Sequence, residues 1–400
     1  MIGHTKVSGP LASFADGFRA ELDRLGYTRA TREFKLAEVA KLSSWLESRG
    51  LTASDVCSAR LEEFGVELVE RSGRGPTLVA MRPLLAWLRD QGVCGDDPAR
   101  VPGPLDVLME RYRDWLVNDR QLADRTIDRY QRGARRFLES RFGQAEDAAV
   151  LEGLSEPEVT RHLLAEVSRG LSPKSLQVVV AELRSLLRFL YLHEMIDAPL
   201  GEGVPAVPGW KDTRVPRPMP VGEVEALLAS CDRSTPSGIR DLAVLMLLAR
   251  MGLRGGEVGA LGLDDFDWWA GEVVVHGKGG RYDRMPLPAD VGDAVGIYLT
   301  EVRPRIECRA ALLTLVAPPR PLRSTTIGQI VWRQCRIAGI EPVRSHRLRH
   351  TLATELLAKG VTLPEIAQTL RQRDLATTAV YAKVDHATLH GLARPWLVVS

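Results

Sequence analysis

Lysine, cysteine and long apolar runs are what this sequence has least of. Eight of its 53 basic residues are lysine, so arginine carries nearly all the positive charge and each lysine stands out. The five cysteines, Cys57, Cys94, Cys231, Cys308 and Cys335, lie far apart, and no two form a CxxC pair. That argues against a disulfide frame and against a cysteine zinc site, and for reduced thiols in a cytoplasmic protein. No apolar run approaches the roughly 18 residues that a membrane span needs. The best candidate, Leu242–Ala249, is stopped by Arg250. The N-terminus lacks a charged-then-apolar leader, so neither a secretory route nor a membrane partner is expected.

The 400 residues suffice for two or three domains. With 45% hydrophobic and 26% charged residues, the chain is of ordinary globular composition, which excludes disordered, collagenous and low-complexity classes. The net charge of +2 is unevenly spread. The last hundred residues hold 15 basic and 7 acidic side chains, whereas the first three hundred are net acidic. A basic C-terminal quarter points to a polyanionic partner there.

Residues 11–95 have helical periodicity, as in Phe14, Phe18, Leu22 and Leu25 and again in Leu42, Trp45 and Leu46. A Gly/Pro-rich stretch, Gly92–Pro104, reads as a linker. Residues 105–198 then repeat the plan weakly. Arg136–Arg141 echoes Ser44–Arg49, and Leu186–Leu190 echoes Leu84–Leu88. Five prolines in Val204–Pro220 form a second, extended strap. Beyond it, Val221–Cys231, Ile239–Met251, Ser324–Ala338 (with Ser324 as N-cap) and Ser345–Ala358 are expected helices. Glu272–His276 and Arg281–Leu287 are expected strands around the turn Gly277–Gly280. Thr362–Glu365 is a capping box, and Thr377–Lys383 begins a last helical run.

The chemistry sits among the basic residues. Arg254 ends a very apolar helix, and Glu257, three residues on, is placed to hold its guanidinium. Lys278 stands between glycines at the hairpin tip, where neither phosphate-loop signature is present. His346 and Arg349 share one helix face. His346 and His350 have the spacing of a zinc pair, but two arginines and no glutamate lie between them, so an anion suits the site better than a cation. Tyr381 stands among small apolar residues and could be core or a phenolic nucleophile. Two arginines, a lysine and a histidine are what a phosphodiester reaction needs, without a metal.

The ordered set Arg254, Lys278, His346-x-x-Arg349 and Tyr381 resembles the tyrosine recombinase (phage integrase) family. The resemblance covers roughly Val221–Leu392. It rests on Asp241–Leu261, on the GKGG hairpin with Arg284–Leu287, and on the HRLRHT and TTAVYAKV boxes. It implies a mainly α fold with a small β-sheet in the catalytic domain (α+β). One or two helical, SAM-like core-binding domains would be joined by a linker to that catalytic domain. The implied division is 1–98 as an additional helical domain, 105–203 as the core-binding domain, 204–220 as the linker and 221–400 as the catalytic domain with a C-terminal tail.

The resemblance also implies roles. Tyr381 would attack the scissile phosphate of double-stranded DNA, giving a 3′-phosphotyrosyl link and a free 5′-hydroxyl. Arg254 and Arg349 would clamp the phosphate, Lys278 would protonate the leaving oxygen, His346 would move a proton, and Glu257 would support Arg254. No cofactor, metal or ATP is implied. The partners would be DNA and further copies of the chain, as a tetrameric synapse, with accessory recombinases or DNA-bending proteins beside them. The tail residues Leu389, Leu392 and Trp396 would pack into a neighbouring subunit or onto their own core. Gln372 departs from the pattern, because the family places His or Trp nine residues before the tyrosine. Its amide can donate a hydrogen bond but cannot serve as an acid or base. The neighbouring Arg371 and Arg373 read equally as phosphate contacts or solvated surface. A mobile-element integrase or transposase is expected. A type IB topoisomerase-like relaxing enzyme and a catalytically weak DNA-binding accessory subunit stand beside it.

Overall fold

A computed structural model of the chain describes residues 5–72, 78–97, 102–142, 151, 153–207, 218–277 and 280–372. The chain divides into two compact units, one of residues 96–213 and the other of residues 1–95 with 214–400.

The first 95 residues build four helices, α1 (Ala15–Arg24), α2 (Arg29–Ser48), α3 (Ser58–Ser72) and α4 (Leu78–Asp90). Thr28 starts α2 by accepting the Thr31 N–H at 3.3 Å, which satisfies one of the donors that a helix start leaves over. Phe18, Leu22, Leu42, Leu46, Leu84, Leu85 and Leu88 are buried together, as the spacing requires.

Residues 96–213 build α5 (Pro104–Asn118), α6 (Asp124–Phe142), α7 (Glu156–Ser168), α8 (Pro173–Leu192) and the single turn α9 (Leu200–Gly203). Ser172 caps α8, and Pro173 follows at a position where its missing N–H costs nothing. The echo between the two helical segments extends to their interiors. Phe137 and Leu138 are buried where the echoed motif buries Trp45 and Leu46, and Leu186, Leu187 and Leu190 match Leu84, Leu85 and Leu88. Tyr112 is wholly buried, and its hydroxyl lies 3.0 Å from the Ser185 hydroxyl.

Past residue 218 come α10 (Glu223–Ala229), α11 (Pro236–Ala249) and α12 (Gly255–Ala260). The strands β1 (Phe266–Asp267), β2 (Glu272–Gly277) and β3 (Arg281–Pro286) follow. Then come α13 (Ala289–Ile297), α14 (Ser324–Ile337), α15 (Ser345–Ala358) and α16 (Leu363–Thr369). The strands make an antiparallel sheet in the order β1-β2-β3, and β2–β3 pairing runs up to Gly277 opposite Arg281. α11 is apolar on all sides because it runs through the core, with Leu242–Ala249 buried throughout. None of the described helices is long and apolar enough to cross a membrane.

Two local expectations change. α14 begins at Ser324, with Arg323 as its N-cap and no side-chain cap bond, so Ser324 is the first helical residue instead of the cap. The helix expected over 221–231 is confined to Glu223–Ala229, because Gly222 with φ +84° sets the chain turning just before it. The Thr362 capping box forms as the sequence implies, with the Glu365 carboxylate accepting the Thr362 N–H at 2.9 Å.

Candidate active site

The site gathers where three chain segments meet: the turn after α11, the start of α15 and the end of α16. Gly252, with φ +61°, forms the turn. A Cβ there would come within 2.7 Å of a Leu370 methyl and 2.9 Å of a Leu352 methyl. Glycine thus serves twice, for the backbone twist and for the close approach.

Arg254 is the N-cap of α12 and Glu257 the third residue of that helix. The Glu257 carboxylate accepts the Arg254 backbone N–H at 2.8 Å and its guanidinium Nη1 at 2.6 Å. One carboxylate therefore fixes both the helix start and the arginine side chain, which stays 42% exposed. Burial by itself would raise the Glu257 pKa, but the Arg254 N–H, Arg371 and the Arg254 guanidinium together hold it below the usual carboxylate value.

α15 supplies Arg349 and His346. Arg349 is wholly buried. Its Nη1 donates to the Gly252 carbonyl at 2.6 Å and its Nη2 to the Leu370 carbonyl, so both neighbouring segments orient the guanidinium plane. His346 lies one turn earlier and keeps a solvent-exposed side. Its pKa is lowered, first by desolvation and then by the Arg349 and Arg254 charges, with Glu257 opposing. Its ring packs edge-on against His350, with centroids 4.5 Å apart. His350 is pushed down to about 4 by burial, then by His346, Arg349 and Arg347. Both imidazoles are thus neutral at pH 7 and can each accept a proton. The end of the proline-rich strap is tied to the same helix, where the Met219 N–H donates to the Thr351 hydroxyl at 2.9 Å.

The sequence did not single out Arg371 as part of this cluster. The reading of it as solvated surface is corrected by its burial, since its side chain is only 7% exposed. Nη2 donates to the Glu257 carboxylate at 2.8 Å, and Nη1 meets the Met285 sulfur. Its φ is +52°, a left-handed backbone that costs a non-glycine residue about 1 kcal/mol. Gln372 follows it, and its backbone N–H donates to the Ala367 carbonyl at 2.8 Å.

Of the candidate residues read from the sequence, Arg254, Glu257, His346, Arg349 and Gln372 therefore belong to one neighbourhood. Lys278 and Tyr381 lie outside the described residues, as do Arg373, the run Thr377–Lys383 and the tail residues Leu389, Leu392 and Trp396. The paired strands that lead into the Lys278 turn are described up to Gly277 and from Gly280 onward.

A family model described as the phage integrase family matches residues 218–388, the segment that contains this site. The integrase/recombinase y4rA of Sinorhizobium fredii is 37% identical over 97% of this chain and 95% of its own length. Tyrosine recombinase XerC of Methylobacterium nodulans is 34% identical over 70% of this chain and 90% of its own. Among solved structures, the XerH site-specific recombinase bound to a palindromic difH substrate covers 98% of both chains, at 17% identity and a TM-score of 0.51. A lambda integrase dimer bound to a core site covers 69% of this chain and 94% of its own, also at 17% identity and a TM-score of 0.51. Those structures share the fold, and the relatives match in sequence along the chain. The chain belongs to the phage integrase family of tyrosine recombinases, enzymes that cleave and rejoin DNA at specific sites.

Proposed function

We propose that Tyr381 is the nucleophile of this recombinase and that the Arg254–Arg349–His346 neighbourhood is the seat of its scissile phosphate. The observation that carries this reading is the convergence of three cationic or proton-accepting groups from α12 and α15. His346 feels both arginines and the Glu257 carboxylate at once.

In this reading the Tyr381 oxygen attacks phosphorus, and its proton passes toward neutral His346. The bond to the 5′-oxygen breaks as Lys278 hands that oxygen a proton. The products are a 3′-phosphotyrosine and a free 5′-hydroxyl. Arg254 meets the non-bridging oxygens from its exposed end and Arg349 from the floor of the site, and together they stabilise the charge of the pentacoordinate state. Gln372 contributes a hydrogen-bond donor beside them. The phosphodiester energy stays in the protein–DNA bond, so rejoining runs the same steps backwards and neither ATP nor a metal is called for.

Residues 105–203 are the proposed core-binding domain. Arg125, Arg129, Arg132 and Arg136 of α6 are exposed at i, i+4, i+7 and i+11, which places them on one side of the helix. Glu182 sits 3.1 Å from Arg129 and Glu166 3.7 Å from Arg136, which explains how a near-neutral segment can present an arginine stripe. The division proposed is 1–98, 105–203 and 221–400, joined by the strap 204–220, in a cytoplasmic protein that acts as a tetramer on paired sites. A mobile-element integrase or transposase is the proposed biological role. The match to y4rA along 97% of this chain supports the integrase reading.

The test is a nicked suicide substrate carrying the target site. The wild-type protein leaves a covalent protein–DNA adduct on it, and Tyr381→Phe leaves none. Adduct persisting in that variant would overturn the assignment of the nucleophile.

A further inference from the structure

We infer that Arg371 is a positioning residue that locks the Glu257–Arg254 pair from the side of α16, so that the last helix turn before the tyrosine segment and the first phosphate-binding arginine are set by one carboxylate. The inference rests on the reading of Arg254 as a phosphate ligand.

Three observations carry it. First, α16 ends in a Schellman arrangement. The Gln372 N–H donates to the Ala367 carbonyl at 2.8 Å and the Arg371 N–H to the Gln368 carbonyl at 3.0 Å. The left-handed residue of such an ending is ordinarily glycine, and here it is Arg371, with φ +52°. Arginine has no intrinsic preference for that conformation, in contrast to glycine. Second, the side chain is buried and spans to two other elements, Glu257 of α12 and Met285 of β3. Third, Glu257 is the shared partner. Its carboxylate takes Arg371 Nη2, the Arg254 backbone N–H and Arg254 Nη1, all within 2.8 Å. With Arg371 and the Arg254 N–H on Oε2 and the Arg254 guanidinium on Oε1, the buried carboxylate is held in its ionised form and both oxygens are engaged. The adjacent Leu370 carbonyl holds Arg349. Residues 370 and 371 therefore touch the supports of both arginines.

The experiment compares single-turnover cleavage of the suicide substrate at saturating DNA, DNA affinity and thermal stability. Arg371→Gly removes the side chain at a position whose backbone suits glycine. Cleavage is expected to fall about 10–100-fold, as misplacement of a catalytic group does, while DNA affinity stays within twofold. Combined with Glu257→Gln, it should cost no more than Glu257→Gln alone, because both variants break one linkage. Wild-type cleavage by Arg371→Gly overturns the inference. So does a loss that tracks weaker DNA binding, or losses that multiply in the double variant, since those mark a direct DNA contact. Should Arg371→Gly fail to fold, Arg371→Lys decides by the same rate, because lysine keeps the charge and loses the two-ended reach. A drop beyond threefold supports the inference, and an unchanged rate overturns it. Arg254→Ala and Tyr381→Phe run alongside. If they still form adduct, the underlying reading of the site fails. If they are inactive and Arg371→Gly is not, only this inference fails.

Discussion

His350 lies on the same face of α15 as His346 and is not among the groups assigned to the reaction, but it titrates where the protein can feel it. Burial, His346 and the arginines on either side push it down to about 4. In the unfolded chain it would take a proton near its ordinary value of 6.5. Between those two pH values the unfolded state binds the extra proton, so stability falls as pH drops from about 6.5 towards about 4 and is fully present above that window. A shift of that size corresponds to roughly 3 kcal/mol, which solvent screening of the half-buried ring lowers to on the order of 2 kcal/mol. Chemical denaturation of wild type and His350→Gln across this range checks it. The wild type should lose more stability than the variant as the pH falls, and parallel curves would count against the depressed pKa. His346 shifts the same way, through desolvation and the Arg349 and Arg254 charges.

At the scale of elements, α6 bears the clearest expectation. Four exposed arginines along one side of a helix match a polyphosphate backbone, and a phosphate contact carries affinity without sequence information. Replacing Arg132 with alanine should weaken binding to target and non-target DNA alike. It should also lower the slope of log K against log salt by about 1. Equilibrium binding at several salt concentrations measures both, and an unchanged slope would remove Arg132 from the contact. Arg129 is a poorer choice for this test, since its partner Glu182 is mostly buried and would be left unpaired. In the small sheet, β2 and β3 pair from Glu272 opposite Pro286 to Gly277 opposite Arg281.

For the whole molecule, the charge bias toward the last hundred residues falls on the segment with His346, Arg349 and Arg371, while the helical modules balance their arginines with glutamates and aspartates. Electrostatic attraction to DNA is thus expected to be strongest around the proposed phosphate site. Two target sites brought together should hold four protomers. Native mass measurement of complexes on two-site DNA should find that stoichiometry, and complexes that never exceed two protomers would rule out the tetrameric synapse.

Much of the helix pattern and a set of candidate groups were legible in the sequence. The Thr362 capping box and the strands on either side of residues 277–280 were readable, because caps and periodicity are local properties of the chain. The candidate set Arg254, Lys278, His346, Arg349 and Tyr381 could be proposed because the chemistry restricts the residue types, and Arg254, His346 and Arg349 lie together among the described residues. The partners of those groups were not legible. Arg349 is held by a carbonyl 97 residues away, and Arg371 finds its carboxylate 114 residues away. No local pattern records such a pairing. It exists only once α11, α15 and α16 pack around Gly252, because burial removes water as the competing partner. Tertiary structure alone turned Arg371 from an apparent surface arginine into the second cation of the Glu257 pair.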